Sequence, residues 1–163
     1  MRKNLLLVAL FAFLPAAHAQ HKHVHGEGQL EAIIDGGKIS IKLELPLDAA
    51  VGFERAPKTD KERAALAETE RVLKDGAALF VPTPAAKCTL GKVEVSMPAF
   101  KGGEHADIDA DYDFSCSEPA ALKGIETTIF KSFKRLYRLE AQRSGPAGQG
   151  KQRLSPKAPV LSW

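Results

Sequence analysis

Three histidines at alternating positions, His21, His23 and His25, followed by Glu27, are the residues of this chain best suited to chemistry. Neutral imidazole is a common ligand for zinc and copper. In an extended segment the alternation puts all three rings on one side; in a loose one they can wrap around an ion. Three nitrogens with Glu27 or a water would complete a four-coordinate zinc site. Copper is the alternative metal, because a free terminal amine beside His21 would grip Cu(II) together with the imidazole. The competing reading is an exposed tail whose histidines hold nothing of consequence.

Two other constellations are weaker. Asp107, Asp109, Asp111 and Asp113 alternate along one segment. On a strand they would share a face about 6.5 to 7 Å apart, too far for neighbours to share an ion easily. His105 stands at the edge of this ladder and is a further candidate ligand. A solvated face with lysine partners such as Lys92 is the favoured account. In Gly52-Phe53-Glu54-Arg55-Ala56-Pro57, the Glu beside an Arg reads as an ion pair in a structural loop, with Phe53 in the core. Catalysis finds no support: G-x-S-x-G, H-E-x-x-H and a P-loop are all absent, and the chain reads as a non-enzyme.

The elements that must position these groups follow from the ends inward. Arg2 and Lys3, the apolar run Leu5 to Leu14, and Ala17-His18-Ala19 read as a signal peptide over residues 1–19. Its apolar run is too short to span a bilayer, and no other segment is suited to do so. Cleavage would leave 163 − 19 = 144 residues, enough for one domain with a real core. The 23 Lys and Arg lose Arg2 and Lys3, leaving 21 against 20 Asp and Glu. That near-neutral balance, with no basic stripe, argues against nucleic acid. Export to the periplasm makes Cys88 and Cys116 a disulfide pair.

The expected organisation is a His-rich segment at 20–27, then one α+β domain over 28–163. Leu30 to Ile34 and the alternation Ile39, Ile41, Leu43, Leu45 flank Asp35-Gly36-Gly37 and predict a hairpin. Thr59 with Glu62 is a capping box opening an amphipathic helix, with Ala65, Leu66, Thr69, Val72 and Leu73 on one face and Gly76 as its stop. Leu79 to Val81 reads as a short strand. Lys87 to Met97 reads as a strand whose parity changes at Gly91, a bulge signal. It would pair antiparallel with His105 to Cys116, both cysteines pointing to the apolar side. Ile125 to Phe130 and the alternation Tyr137, Leu139, Ala141 predict two further strands. The sum is a mainly antiparallel sheet with one main helix.

Taken in order, HKHVHGEGQLEAII, LELPLDAAVGFERAPKT, DADYDFSC, IFKSFKRLYRLEAQ and APVLSW resemble the ZrgA-type family of periplasmic zinc-binding proteins over nearly the whole mature chain. The resemblance implies zinc binding in the periplasm and an accessory role in zinc uptake, beside an ABC importer or its solute-binding protein. Such proteins commonly carry a long run of His, Asp and Glu between the two cysteines. Here that stretch is Pro98 to Ala106 with His105 as its single histidine. The rival function is a non-metal periplasmic interaction module, in which the sheet docks a partner and the histidines are incidental. The two separate by pH. Free imidazole titrates near pH 6.5, so zinc held by histidines should be lost between about pH 7 and 5. Calorimetric zinc titration across that range checks this, and tight binding at pH 5 would exclude a histidine-held ion.

Overall fold

The computed structural model describes residues 24–100 and 106–163. The expected signal peptide, His21, His23 and His105 lie outside the described residues.

Strands β1 (Glu27–Asp35) and β2 (Lys38–Pro46) form the expected hairpin, closed at Gly36 and Gly37, both with positive φ. Leu30 and Ala32 on one strand, and Ile39, Ile41, Leu43 and Leu45 on the other, are buried. β2 runs into a short helix, α1 (Leu47–Val51), which ends on Gly52 in the left-handed region. The main helix, α2 (Asp60–Lys74), opens on the expected capping box, Thr59 accepting from the Glu62 N–H and Glu62 accepting in return from Thr59 N. Thr69 and Leu73 are its buried face, with Leu66 and Val72 packed partly against the core.

The helix stops where expected: α2 ends at Lys74 with Asp75 as its C-cap, so Gly76 is the next residue, and there it opens a further helical turn, α3 (Gly76–Leu79), capped by the Asp75 side chain. The glycine serves a close approach. A Cβ on Gly76 would lie 2.5 Å from Tyr112 Cδ1. Tyr112 is buried there, tilted against Phe80 at 5.0 Å between ring centroids, and donates its hydroxyl to Leu73 O at 2.9 Å. The last carbonyls of α2 need such donors. Burial pushes the Tyr112 phenol above its ordinary range.

β3 (Phe80–Pro82) follows, then a single 3-10 turn. β4 (Cys88–Ser96) and β5 (Asp107–Cys116) pair antiparallel, with the register shifting between Leu90 and Val93 around Gly91, as a bulge requires. Cys88 pairs directly with Cys116 and the disulfide is formed. With the cysteines 28 positions apart in sequence, loop entropy gives the bridge about 3 to 4 kcal/mol.

Beyond the disulfide the chain departs from simple alternation. Gly124–Thr127 is a strand, β6, but Ile129–Ser132 turns into a helical segment, α4, because Thr128 leaves the extended region. β7 (Arg138–Ser144) begins one residue after Tyr137, so Tyr137 stays about half exposed while Leu139 and Ala141 are buried. β8 (Gly150–Leu154) and β9 (Val160–Ser162) complete the set.

The strands form two sheets. One has the order β4-β5-β2-β1-β7-β8, the other β3-β6-β9. All pairs are antiparallel except β1 with β7, which is parallel. The Gln152 side chain ties the sheets, donating to Val160 O and accepting from Ser162 N. Among the described residues no helix is long and apolar enough to cross a membrane.

The outward face of β5 carries the aspartate ladder, and neighbouring strands answer two of its members. Ser40 donates to Asp113 at 2.7 Å, and Lys42 lies opposite Asp111. Lys92 pairs with Glu94 at 2.8 Å, and the charges of Asp113 and Asp111 add to the pull that raises its pKa. Asp111 and Asp113 are a solvated face, whereas Asp107 and Asp109 are half-buried.

Gly76→Ala should destabilise the fold by about 1 to 3 kcal/mol, the usual range for forced overpacking. Urea denaturation followed by far-UV circular dichroism checks it. An unchanged midpoint would mean that Tyr112 can move aside.

Candidate metal centre

Three chain segments converge at one end of the large sheet. The first is the turn leading into β1. Glu27 N donates to Val24 O at 3.0 Å, and Gly26 has φ +75°, so His25 stands at the apex of a tight turn. The second is the start of α1, which carries Asp48; the preceding Leu47 donates its N–H to Ala106 O at 2.9 Å. The third is the loop after α1, where the left-handed Gly52 turns the chain back and Glu54 follows.

His25 Nδ1 lies 3.0 Å from Asp48 Oδ2 and 3.6 Å from Glu54 Oε1. One ligand atom from each residue falls within 4.8 Å of the others. A tetrahedral zinc ion with bonds of about 2.0 to 2.1 Å separates its ligands by about 3.3 Å, and the two separations from His25 lie on either side of that value. Exposure differs across the trio. The His25 side chain is 74% exposed, against 19% for Asp48 and 22% for Glu54. Asp48 Oδ1 is buried with no hydrogen-bond partner. A carboxylate oxygen in that state is costly unless a cation answers it.

The Glu54 loop is held from its far side. Arg55 donates both terminal nitrogens to Glu62, at 3.0 and 2.7 Å, and its guanidinium lies over the Phe53 ring at 5.1 Å from the centroid. Glu62 also accepts from Lys58 N at 2.6 Å. The Arg55 hydrogen bond, with the Lys58 N–H behind it, holds the Glu62 carboxyl down to about 2. Phe53 packs partly against the core, and the Glu-Arg dipeptide makes an ion pair, although with Glu62 rather than between neighbours.

Of the residues singled out in the sequence, His25 is in this cluster. Glu27 is not: Tyr137 Oη donates to Glu27 Oε1 at 2.7 Å and Arg138 Nη2 to Oε2 at 2.5 Å. Burial pushes the Glu27 carboxyl up, but the hydrogen bonds from Tyr137 and Arg138 outweigh it, and the pKa is lowered. His21, His23 and His105 lie outside the described residues. Ala106, next in sequence to His105, is the residue bonded to Leu47 beside Asp48. Asp48 and Glu54 were not read as ligands from the sequence. They follow His25 by 23 and 29 residues, spacings that no local metal motif uses.

Fold and donor set together define a disulfide-stapled α+β domain with a cluster of one imidazole and two carboxylates, a nitrogen–oxygen set suited to a borderline divalent cation. Residues 22–163 match the family described as ZrgA family zinc uptake protein. The chain belongs to that family, and its role is related to zinc uptake. No curated protein matches it.

The Glu62 clamp has a consequence for acid stability. Its folded pKa lies below the ordinary value of 4.5, so its contribution is present above about pH 4.5 and is lost as pH falls toward 2. Glu62→Gln should therefore flatten the stability profile between those limits. Thermal melts from pH 6 to 2 check this; parallel profiles for the variant and the parent chain would place the acid sensitivity elsewhere.

Proposed function

We propose that this chain is a periplasmic zinc-binding accessory of zinc uptake, and that His25, Asp48 and Glu54 hold one zinc ion. The observation that carries the reading is the convergence of these three side chains at ligand-to-ligand distances, with a buried Asp48 oxygen left without a partner. A fourth ligand comes from water or from His23, His21 or His105. His23 precedes His25 by two residues in the sequence.

The donor set suits zinc and has no thiolate or thioether, which disfavours Cu(I). Cu(II) binds nitrogen–oxygen sites tightly as a matter of course, so zinc is argued from the family and not from raw affinity. One half-exposed site, without a long His-rich loop, fits a protein that passes on a single ion rather than storing many. An ABC importer or its solute-binding protein is the receiver we propose. Binding and transfer, not catalysis, is the activity. Export through a cleaved signal peptide over residues 1–19 belongs to the same proposal, with the disulfide in support.

Calorimetric zinc titration of the chain lacking residues 1–19 tests it. The expected stoichiometry is about one ion per chain. Loss of an outer-shell partner alone costs 10- to 100-fold in metal affinity, so His25→Ala and Asp48→Asn should each weaken binding by at least about tenfold. Zinc bound equally well by both variants would put the ligands elsewhere. No binding at pH 7.5 would leave the interaction-module reading in its place.

A further inference from the structure

His25 is the least enclosed member of the proposed site, and packing does not hold its ring in place. Apart from its contacts with Asp48 and Glu54, its direction depends on the backbone turn on which it sits, and that turn is gripped by one short segment of distant chain. Tyr137 N donates to Gly26 O at 3.0 Å. The Tyr137 ring lies flush on Gly26: a Cβ there would come within 2.6 Å of Tyr137 Cε1 and 2.8 Å of Arg135 O. Tyr137 and Arg138 then take one oxygen each of Glu27. Glu27 and Arg138 are register partners at the start of the parallel β1–β7 pair.

The same segment touches the other half of the site. The Arg135 guanidinium lies against Gly52, where a Cβ would meet its Nε at 2.7 Å. Gly52 is two residues before Glu54. A single stretch, Arg135 to Arg138, thus abuts both the turn that carries His25 and the turn that leads to Glu54.

We propose that Glu27, Tyr137 and Arg138 form a latch of positioning residues that aims His25 at Asp48 and Glu54, so that Glu27 serves the zinc site without being a ligand. The inference rests on the zinc reading above. Its physical basis is preorganisation. An exposed imidazole on an unrestrained turn would lose rotational and backbone freedom when it coordinates, and that loss would weaken binding. A turn already closed by Val24 O, capped by a ring and anchored through a doubly bonded carboxylate has lost that freedom in advance. Partners behind a metal-binding histidine act in this way generally.

The test compares Tyr137→Phe and Glu27→Gln with the parent chain, all without residues 1–19. Zinc affinity is read by competition with a chromophoric chelator and thermal stability is read in parallel. Tyr137→Phe keeps the ring on Gly26 and removes only the hydroxyl that holds Glu27. Both variants should bind zinc about tenfold more weakly, with Tyr137→Phe melting within a few degrees of the parent. In a His25→Ala background, Tyr137→Phe should cause no further loss, because a latch that acts through His25 has nothing left to aim. Affinity within twofold of the parent in both variants would overturn the proposal. So would an equal loss with and without His25, which would mark a structural effect. If Glu27→Gln fails to fold, the Tyr137→Phe pair of measurements decides by itself. A parent chain that binds no zinc would overturn the site reading; zinc binding that the latch variants leave untouched overturns the latch alone.

Discussion

Strand β1 is hydrogen-bonded along both edges, antiparallel to β2 and parallel to β7. This double pairing sets the position of the candidate metal site. From β2 the chain passes directly into α1 and Asp48, so the β1–β2 register decides how far Asp48 lies from the residue before β1. The β1–β7 register sets Glu27 beside Arg138, which brings Tyr137 onto Gly26. A slip of one residue in either pairing would turn Leu30 and Ala32 out of the core and carry His25 away from its carboxylates. Burial of the β1 and β2 apolar faces and alignment of the site are therefore enforced together.

The rest of the fold keeps that sheet in one piece. β5 covers the free edge of β2, and β4 covers β5 in turn, joined to it by the disulfide at one end of the pair. Edge strands invite pairing with other chains. β4 carries a bulge and Lys92, and β8 is tied by Gln152 to the small sheet. Both devices blunt an edge. Helix α2 lies over the β4–β5 end, where Tyr112 fills the space left by Gly76 and satisfies a helix carbonyl.

The chemistry of the centre reflects a balance of burial. Asp48 and Glu54 are largely sheltered, and Asp48 keeps a buried oxygen with no protein donor. His25 faces solvent. A cation entering the proposed site from solvent would meet the imidazole first and the sheltered carboxylates behind it. Such a half-open arrangement would let an ion enter and leave the proposed site without unfolding it, in keeping with membership of a zinc uptake family. On β5, Asp111 and Asp113 are exposed and their charges are answered by Ser40, Lys42 and Lys92.

Much of the scaffold was legible locally. Period-two alternation marks β1, β2 and β5, because each buries one face, and Thr59 with Glu62 marks the helix start because its orphan N–H groups need those acceptors. The shared apolar parity of Cys88 and Cys116 places them opposite each other across an antiparallel pair. The strand read over Ile125 to Phe130 went astray where Thr128 bends the chain, which side-chain alternation does not report. Of the candidate cluster, the sequence by itself singled out one member, His25. That Asp48 and Glu54 join it, and that Glu27 is given to Tyr137 and Arg138 across 110 and 111 residues, was decided only by tertiary structure. The reason is that local patterns record which face of a strand is buried, whereas the parallel β1–β7 pairing that brings these residues together joins chain segments with no turn between them to announce it.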